Sequence, residues 1–230
     1  MIFYPLPRQS YINHRNLLAG ALAKNAIAIL HSNDRYPISA DQYFPFRQNK
    51  DLLRLCGIYQ EETAILLYPG HPLEAYHEIL FIKRNDETHK TWNGQLLDKE
   101  TARNISGIQS IYWFDEFESI VYPLVPKAEY IYLNSNEKAQ YPISIFGRNE
   151  RLGKKIMKQF PFHSYKRLQA ILRIQSLTKS KEELENIKNA IKITGDTWNS
   201  LSRIIKPGLF EYEIEAEISY AFEKLGAIHA

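Results

Sequence analysis

One run, Asp41-Gln-Tyr-Phe-Pro-Phe-Arg-Gln-Asn-Lys-Asp-Leu-Leu-Arg-Leu-Cys-Gly57, mixes charged and polar side chains with large apolar ones. It sets Arg47, Gln48 and Asp51 among Tyr43, Phe44, Phe46, Leu52, Leu53 and Leu55. A guanidinium amid that much apolar surface has to be paired and hydrogen-bonded, because an unpaired buried charge is costly. Elsewhere the candidates for acid–base or metal chemistry are thin. Glu211, Glu213, Glu215 and Glu217 alternate along a helical pattern, so Glu211 with Glu215 and Glu213 with Glu217 are like-charged i,i+4 pairs, which read as a solvated face. His71 and His77 flank a turn, and His14, His31, His89 and His163 are scattered in polar contexts. The chain has no His-x-x-x-His or Cys-x-x-Cys spacing and no Gly-rich phosphate loop. Cys56 lacks a recognisable histidine partner and reads as a core residue.

Around these residues the pattern alternates helix and strand. Arg15 to Lys24 reads as a helix and Ala26 to Leu30 as a short buried strand. His31 to Pro37 is full of turn residues. Asn49 suits an N-cap, Asp51 the positive first turn, and Gly57 the left-handed end of one short helix. Thr63 to Tyr68 and Glu78 to Ile82 read as neighbouring strands joined through Pro69-Gly-His-Pro72, and Asp86 to Asn93 as a polar loop. Ile111 to Phe114 and Tyr130 to Leu133 are further strands, with an amphipathic stretch from Glu116 to Val125 between them. Asn149 to Gln159 reads as a helix with Leu152, Ile156 and Met157 inward. Strands alternating with helices imply an α/β domain on a mixed sheet over residues 1–165.

From residue 166 the pattern is helical. Tyr165 to Ile174 is one helix. Ser180 with Glu183 forms a capping box, worth about 1 kcal/mol, that opens a helix running to Ile205. Leu184, Ile187, Ile191, Thr194, Trp198, Leu201 and Ile205 form its stripe. A further helix spans Glu211 to Leu225, with Gly226 at its C-terminal cap. Leaving half of the roughly ten large apolar side chains on these two helices wet would forgo about 7–15 kcal/mol, comparable to a whole domain's stability. The expectation is that the chain is the front part of a larger protein and that another layer covers these helices.

Composition restricts the classes open to the chain. Its 230 residues, 44% hydrophobic and 24% charged, are those of a globular protein. No apolar run approaches the ~18 residues of a membrane span, and the start Met1-Ile-Phe-Tyr-Pro-Leu-Pro-Arg does not read as a secretory signal. The net charge of +3 is spread along the chain, so nucleic-acid binding is not expected. One cysteine fits a reducing compartment, hence a cytoplasmic location.

The pattern of Asp41, Phe46, Arg47, Gln48, Asp51, Leu55 and Gly57 resembles the N-terminal domain of aminopeptidase P, in the creatinase, prolidase and Xaa-Pro aminopeptidase family. Arg54 stands where an aromatic is usual there, and Cys56 where a small polar residue is. Trp92-Asn-Gly-Gln-Leu96 is similar to the family's Trp-x-Gly-x-x-Leu segment. Lys179 to Leu184 with Ile187, Ala190, Ile193 and Thr194 resembles the helix that opens the catalytic domain. Pro207-Gly208, Glu211, Glu217, Phe222 and Gly226-Ala227 resemble the next one.

The resemblance implies a ribonuclease H-like mixed-sheet domain followed, over residues 166–230, by a linker and the first helices of an incomplete pita-bread α+β domain. It implies hydrolysis of the bond between a residue and a following proline by two divalent metal ions, manganese expected, held by two Asp, one His and two Glu. None of those ligands maps onto this sequence, so no catalytic or metal residue is assigned and the stretch alone is expected to be inactive. The implied partners are proline-containing peptides and further copies of the chain, as a dimer or tetramer. Trp92 is the one substrate-binding candidate, as an indole near a neighbouring subunit's active site; otherwise it anchors the loop before Gly94. Arg47 and Asp41 read as a structural ion pair. The same plan also occurs without metal as a peptide- or histone-binding module, and a domain acting only in oligomerisation is a third reading.

Overall fold

The computed structural model describes residues 5–84, 96–137 and 145–227. They divide into two compact units, one within residues 7–178 and one of residues 179–227 with residues 5 and 6.

The first unit is built on β1 (Ala26–His31), buried along its whole length. Alternate residues face opposite ways. Ala26, Ala28 and Leu30 join one core with Leu18, Leu52, Leu55 and Leu172, whereas Ile27 and Ile29 join the other with Phe117, Val121, Leu152 and Ile156. A strand with two apolar faces belongs in the middle of a sheet covered on both sides. The six strands run in the order β6-β5-β4-β1-β7-β8. β4 (Ala64–Leu67) lies antiparallel to both β1 and β5 (Glu78–Ile82). β7 (Tyr130–Leu133) runs parallel to β1, β6 (Ser110–Trp113) parallel to β5, and β8 (Ser164–Arg167) parallel to β7. This is the mixed α/β fold the sequence pattern implies.

Helix α1 (Arg8–Ala21) begins a full seven residues before the expected Arg15, directly after Pro7, and buries Ser10, Tyr11, His14, Arg15 and Leu18. α2 (Lys50–Cys56) is capped as expected: Asn49 Oδ1 accepts from the amides of Asp51 and Leu52 at 3.0 and 3.1 Å, and Gly57 is left-handed at φ 72°. Only glycine suits this cap, since a Cβ there would lie 2.5 Å from the ring of buried Tyr11. α3 (Lys99–Ser106) also ends on a left-handed glycine, Gly107. Cys56 is buried, and burial pushes its thiol up to about 12.

Two expectations on this unit are corrected. Ser164–Arg167 is an edge strand, not the start of a helix; α6 begins at Leu168 and runs to Leu177. Pairing with β7 overrides the local pattern there, and Tyr165 Oη donates to Phe160 O at 2.6 Å. In α5 (Arg148–Gln159) Leu152 and Ile156 are buried, but Met157 is exposed. A short hairpin, β2 (Pro37–Ser39) with β3 (Gln42–Tyr43), stands apart from the sheet, and α4 (Phe117–Val121) follows β6.

In the second unit α7 (Lys181–Leu201) opens on the expected capping box. Ser180 Oγ accepts from Glu183 N at 3.2 Å, and a Glu183 carboxylate oxygen accepts from Ser180 N at 2.8 Å. The helix stops at Leu201 rather than Ile205, and α8 spans Glu211–Lys224. On α7 Leu201 is buried, whereas Leu184, Ile187, Ile191 and Trp198 are exposed. No described helix is long and apolar enough to cross a membrane.

Candidate functional site

The buried guanidinium of this chain is Arg15, not Arg47. Arg15 is 1% exposed and lies where α1 crosses the C-terminal ends of α2 and α3. Its Nη1 donates to Leu55 O at 2.8 Å and Ser106 O at 2.9 Å, and its Nε to Glu78 at 3.0 Å. Those two carbonyls belong to last helical turns, which leave acceptors unpaired and carry negative dipole ends. One cation therefore serves two helix termini and a carboxylate, a structural role.

Arg47 and Asp41 are both exposed, and no ion pair joins them among the described residues. The buried polar residue of that motif is Gln48. Its Nε2 donates to Ile58 O and Gln60 O at 3.0 and 2.8 Å, and its Oε1 accepts from Asn49 N. The apolar residues of the run divide accordingly, with Leu52 and Leu55 inside and Tyr43 and Phe44 outside.

A second constellation forms at the carboxyl end of β1, the side of an open α/β sheet where ligands commonly bind. The Asn149 side chain grips the strand's last residue: its Oδ1 accepts from His31 N at 2.8 Å and its Nδ2 donates to His31 O at 3.1 Å. The His31 ring is buried and meets Phe114 and Phe117 edge-on, with centroids 5.5 and 4.5 Å away. Neither ring nitrogen has a hydrogen-bond partner among the described residues. Burial first, then the charge of Arg148, pulls its pKa down to about 3, with Asp34 acting the other way. His31 is thus neutral at physiological pH.

Asp34 sits between two arginines, with Arg148 Nε at 3.2 Å and Arg151 Nη2 at 2.6 Å. Burial raises its carboxyl, but the hydrogen bonds from Arg151 and Arg148 outweigh that and hold it below the usual range. A carboxylate so occupied is neither a base nor a free metal ligand.

Beside this joint Asn33, Asp34, Tyr36, Phe44, Pro45, Arg47 and Gly147 line a cleft of about 250 Å³. The Arg47 carbonyl accepts from Asn33 Nδ2 at 3.0 Å, and Phe44 N donates to Tyr36 O at 2.9 Å, which fixes the hairpin's base against the loop after β1. The cleft carries charge and aromatic surface but, among its lining residues, no activated acid, base or nucleophile.

Trp92 lies outside the described residues, as does His89. The acidic residues of α8 mostly keep to solvent; Glu213 is half-buried and its carboxylate accepts from Phe210 N. His71 is buried edge-on between Tyr68 and Tyr76, and His77 Nε2–H donates to its carbonyl at 2.7 Å, so the pair locks a turn. His14 and His31 are buried, contrary to the polar setting their neighbours suggest. Among the described residues no three His, Cys, Asp or Glu side chains gather as a metal site. The joint of His31, Asp34, Asn149, Arg148 and Arg151 was not legible in the sequence, because its partners stand more than a hundred residues apart.

Residues 11–132 match the sequence model of the aminopeptidase P N-terminal domain. The chain is 25% identical over 223 residues to the Xaa-Pro aminopeptidase of Escherichia coli K12, covering 96% of this chain and 50% of that protein. A structure described as an aminopeptidase P from Bacillus anthracis superposes with a TM-score of 0.88 at 23% identity, over 97% of this chain and 53% of that one. A zinc-substituted Escherichia coli aminopeptidase P in complex with product gives 0.84 at 22%, over 97% and 51%. The chain spans about half the length of the curated bacterial relatives it matches.

Proposed function

Because the chain belongs to the aminopeptidase P N-terminal-domain family, we propose that it is the non-catalytic front half of a Xaa-Pro aminopeptidase. In this reading the α/β unit restricts access to the active site and contributes to subunit contacts. Residues 166–230 would be the linker and the first helices of the pita-bread domain. The observation that carries it is the family match over residues 11–132, with the likeness to Escherichia coli Xaa-Pro aminopeptidase covering 96% of the chain.

The whole enzyme would release N-terminal residues that precede proline, and two divalent metal ions, manganese expected, would supply Lewis-acid chemistry for that hydrolysis. The described residues do not fit such a centre: Asp34 is held by two arginines, His31 is sealed among phenylalanines, and the acidic face of α8 has no histidine. In this reading the donor set lies outside the described residues. The exposed stripe of Ile187, Ile191 and Trp198 supports a further layer over α7. Trp92 would lend its indole to the peptide wall of a neighbouring subunit in a dimer or tetramer, and the location would be cytoplasmic.

Release of the first residue from a Xaa-Pro tripeptide with Mn²⁺ tests the reading. The polypeptide as its gene encodes it is expected to act and the 230-residue chain to be silent. An inactive gene product would overturn the peptidase assignment, and tight stoichiometric Mn²⁺ uptake by the 230-residue chain in calorimetry would overturn the assigned division of labour. The histone-binding alternative is less well supported, since the cleft lining carries one arginine and one aspartate, Arg47 and Asp34, rather than a group of carboxylates.

A further inference from the structure

The chain's net charge of +3 reads as spread along the sequence, yet one helix concentrates it. α5 carries Arg148, Arg151, Lys154, Lys155 and Lys158 against Glu150, a net +4 in 12 residues (five cations less one anion). The remainder of the chain therefore sums to −1 (3 less 4).

Packing orders these cations. Asn149, Leu152, Gly153 and Ile156 turn into the core, so Arg151, Lys154, Lys155 and Lys158, at i, i+3, i+4 and i+7, form one exposed line on the opposite side. Anions meet the helix from three elements. Asp34, after β1, holds Arg148 and Arg151; Glu118 of α4 holds Lys155 at 2.5 Å; and Glu150 of α5 itself accepts from Asn136 N at 2.8 Å. With all three counted the face keeps a net +2 (five cations less three anions). The surplus sits on Lys154 and Lys158, one turn apart, neither of which has an anionic partner among the described residues.

Apolar side chains bracket this line. At its start Phe146 is exposed beside exposed Ile145, and Lys154 Nζ lies 3.3 Å from the centre of the Phe146 ring. At its end Met157 is exposed, and Phe162, in the turn after α5, is 100% exposed. A phenylalanine left wholly in water forgoes all of its burial energy. The combination selects a partner. Two lysines without anions call for a negatively charged surface. A protruding phenylalanine needs a preformed pocket on a folded partner, whereas acyl chains part around it. Basic side chains set beside exposed apolar ones is the pattern of surfaces that rest in a headgroup layer.

We propose that the outward face of α5, with Phe162 at its end, docks on an anionic lipid surface, Lys154 and Lys158 meeting the headgroups and Phe162 entering the acyl boundary. The contact is peripheral, since no described helix is long and apolar enough to cross a membrane. The inference makes no use of the peptidase reading.

Co-sedimentation with large unilamellar vesicles tests it. The 230-residue chain is expected to pellet at low salt with vesicles of phosphatidylglycerol and phosphatidylcholine in equal parts. It should stay in solution with phosphatidylcholine alone and be released as added salt screens the contact. Lys154→Gln combined with Lys158→Gln should weaken binding about 25-fold, roughly fivefold for each lysine, and Phe162→Ser about tenfold. All three side chains are exposed, so the variants should keep the parent's far-UV spectrum. No pelleting with the anionic vesicles, equal pelleting with neutral ones, or unchanged binding by the double lysine variant overturns the proposal. Full binding by Phe162→Ser together with release by polyglutamate would identify an acidic protein surface as the partner and overturn the lipid. The polypeptide as its gene encodes it must pellet as well; binding by the 230-residue chain alone overturns the proposal, because the rest of the protein would then cover this face. No cleavage enters these measurements, so their failure is separate from failure of the Xaa-Pro assay.

Discussion

Replacing Arg15 with methionine strips one buried cation from three partners. The Leu55 and Ser106 carbonyls lose a donor at 2.8 and 2.9 Å, and Glu78 loses its ion pair at 3.0 Å. Each carbonyl left dry costs about 1–3 kcal/mol, and breaking a buried pair from one side costs about 3–5 kcal/mol. These are overlapping accounts of the same loss, and Glu78, 29% exposed, regains some water. Methionine keeps much of the apolar stem's packing. The expected net loss is about 3–5 kcal/mol. At a urea m-value of about 2–3 kcal/mol/M, the midpoint falls by about 1–2.5 M with m unchanged. Urea titrations followed by far-UV circular dichroism read this directly. Arg15→Lys, which keeps the charge but loses the fork, should fall between the two. In Arg15→Met with Glu78→Gln the losses should be less than additive, since the two residues share one interaction. A midpoint shift below about 0.3 M for Arg15→Met would refute the claim that this cation holds the ends of α2 and α3 against α1.

Three further outcomes follow from the same geometry. Gly57→Ala should cost about 2–4 kcal/mol in urea denaturation, because a Cβ must tolerate φ 72° and push into the ring of Tyr11. Asn149→Ala should cost about 2–4 kcal/mol by unpairing His31 N and O, and Asn149→Asp should recover only part, since a carboxylate cannot donate to His31 O. His31 is held neutral in the fold, with its pKa drawn from 6.5 down to about 3, so the unfolded chain takes up the proton first. Its contribution to stability is complete above pH 6.5 and is lost as pH falls toward 3, by up to about 1.4 kcal/mol per unit. Urea midpoints at pH 7 and pH 5 should therefore converge in His31→Phe relative to the parent, and an equal drop in both proteins would contradict this.

Much of the frame was legible residue by residue. Asn49, Gly57 and the Ser180–Glu183 box mark helix ends because a cap needs only an oxygen or a glycine within one turn of chain. β1, β4, β5 and β7 stand where their apolar runs are, since a strand buried on both faces has to be apolar throughout. The resemblance carried by Asp41 to Gly57 likewise led to the correct family.

What the linear pattern could not assign was burial of charge. Arg47 stands in the more apolar neighbourhood of the sequence yet lies at the surface, while Arg15, in an unremarked stretch of α1, is sealed. The difference arises because a guanidinium is tolerated inside only where acceptors converge, and the acceptors of Arg15 come from residues 40, 63 and 91 positions away. Ser164–Arg167 became a strand because β7 offered a free edge, and His31 became neutral because burial, with the charge of Arg148 added from α5, disfavours its protonated ring. Local chemistry determined where elements begin and end; which charges are buried, and where a cleft opens, was decided only when distant segments met.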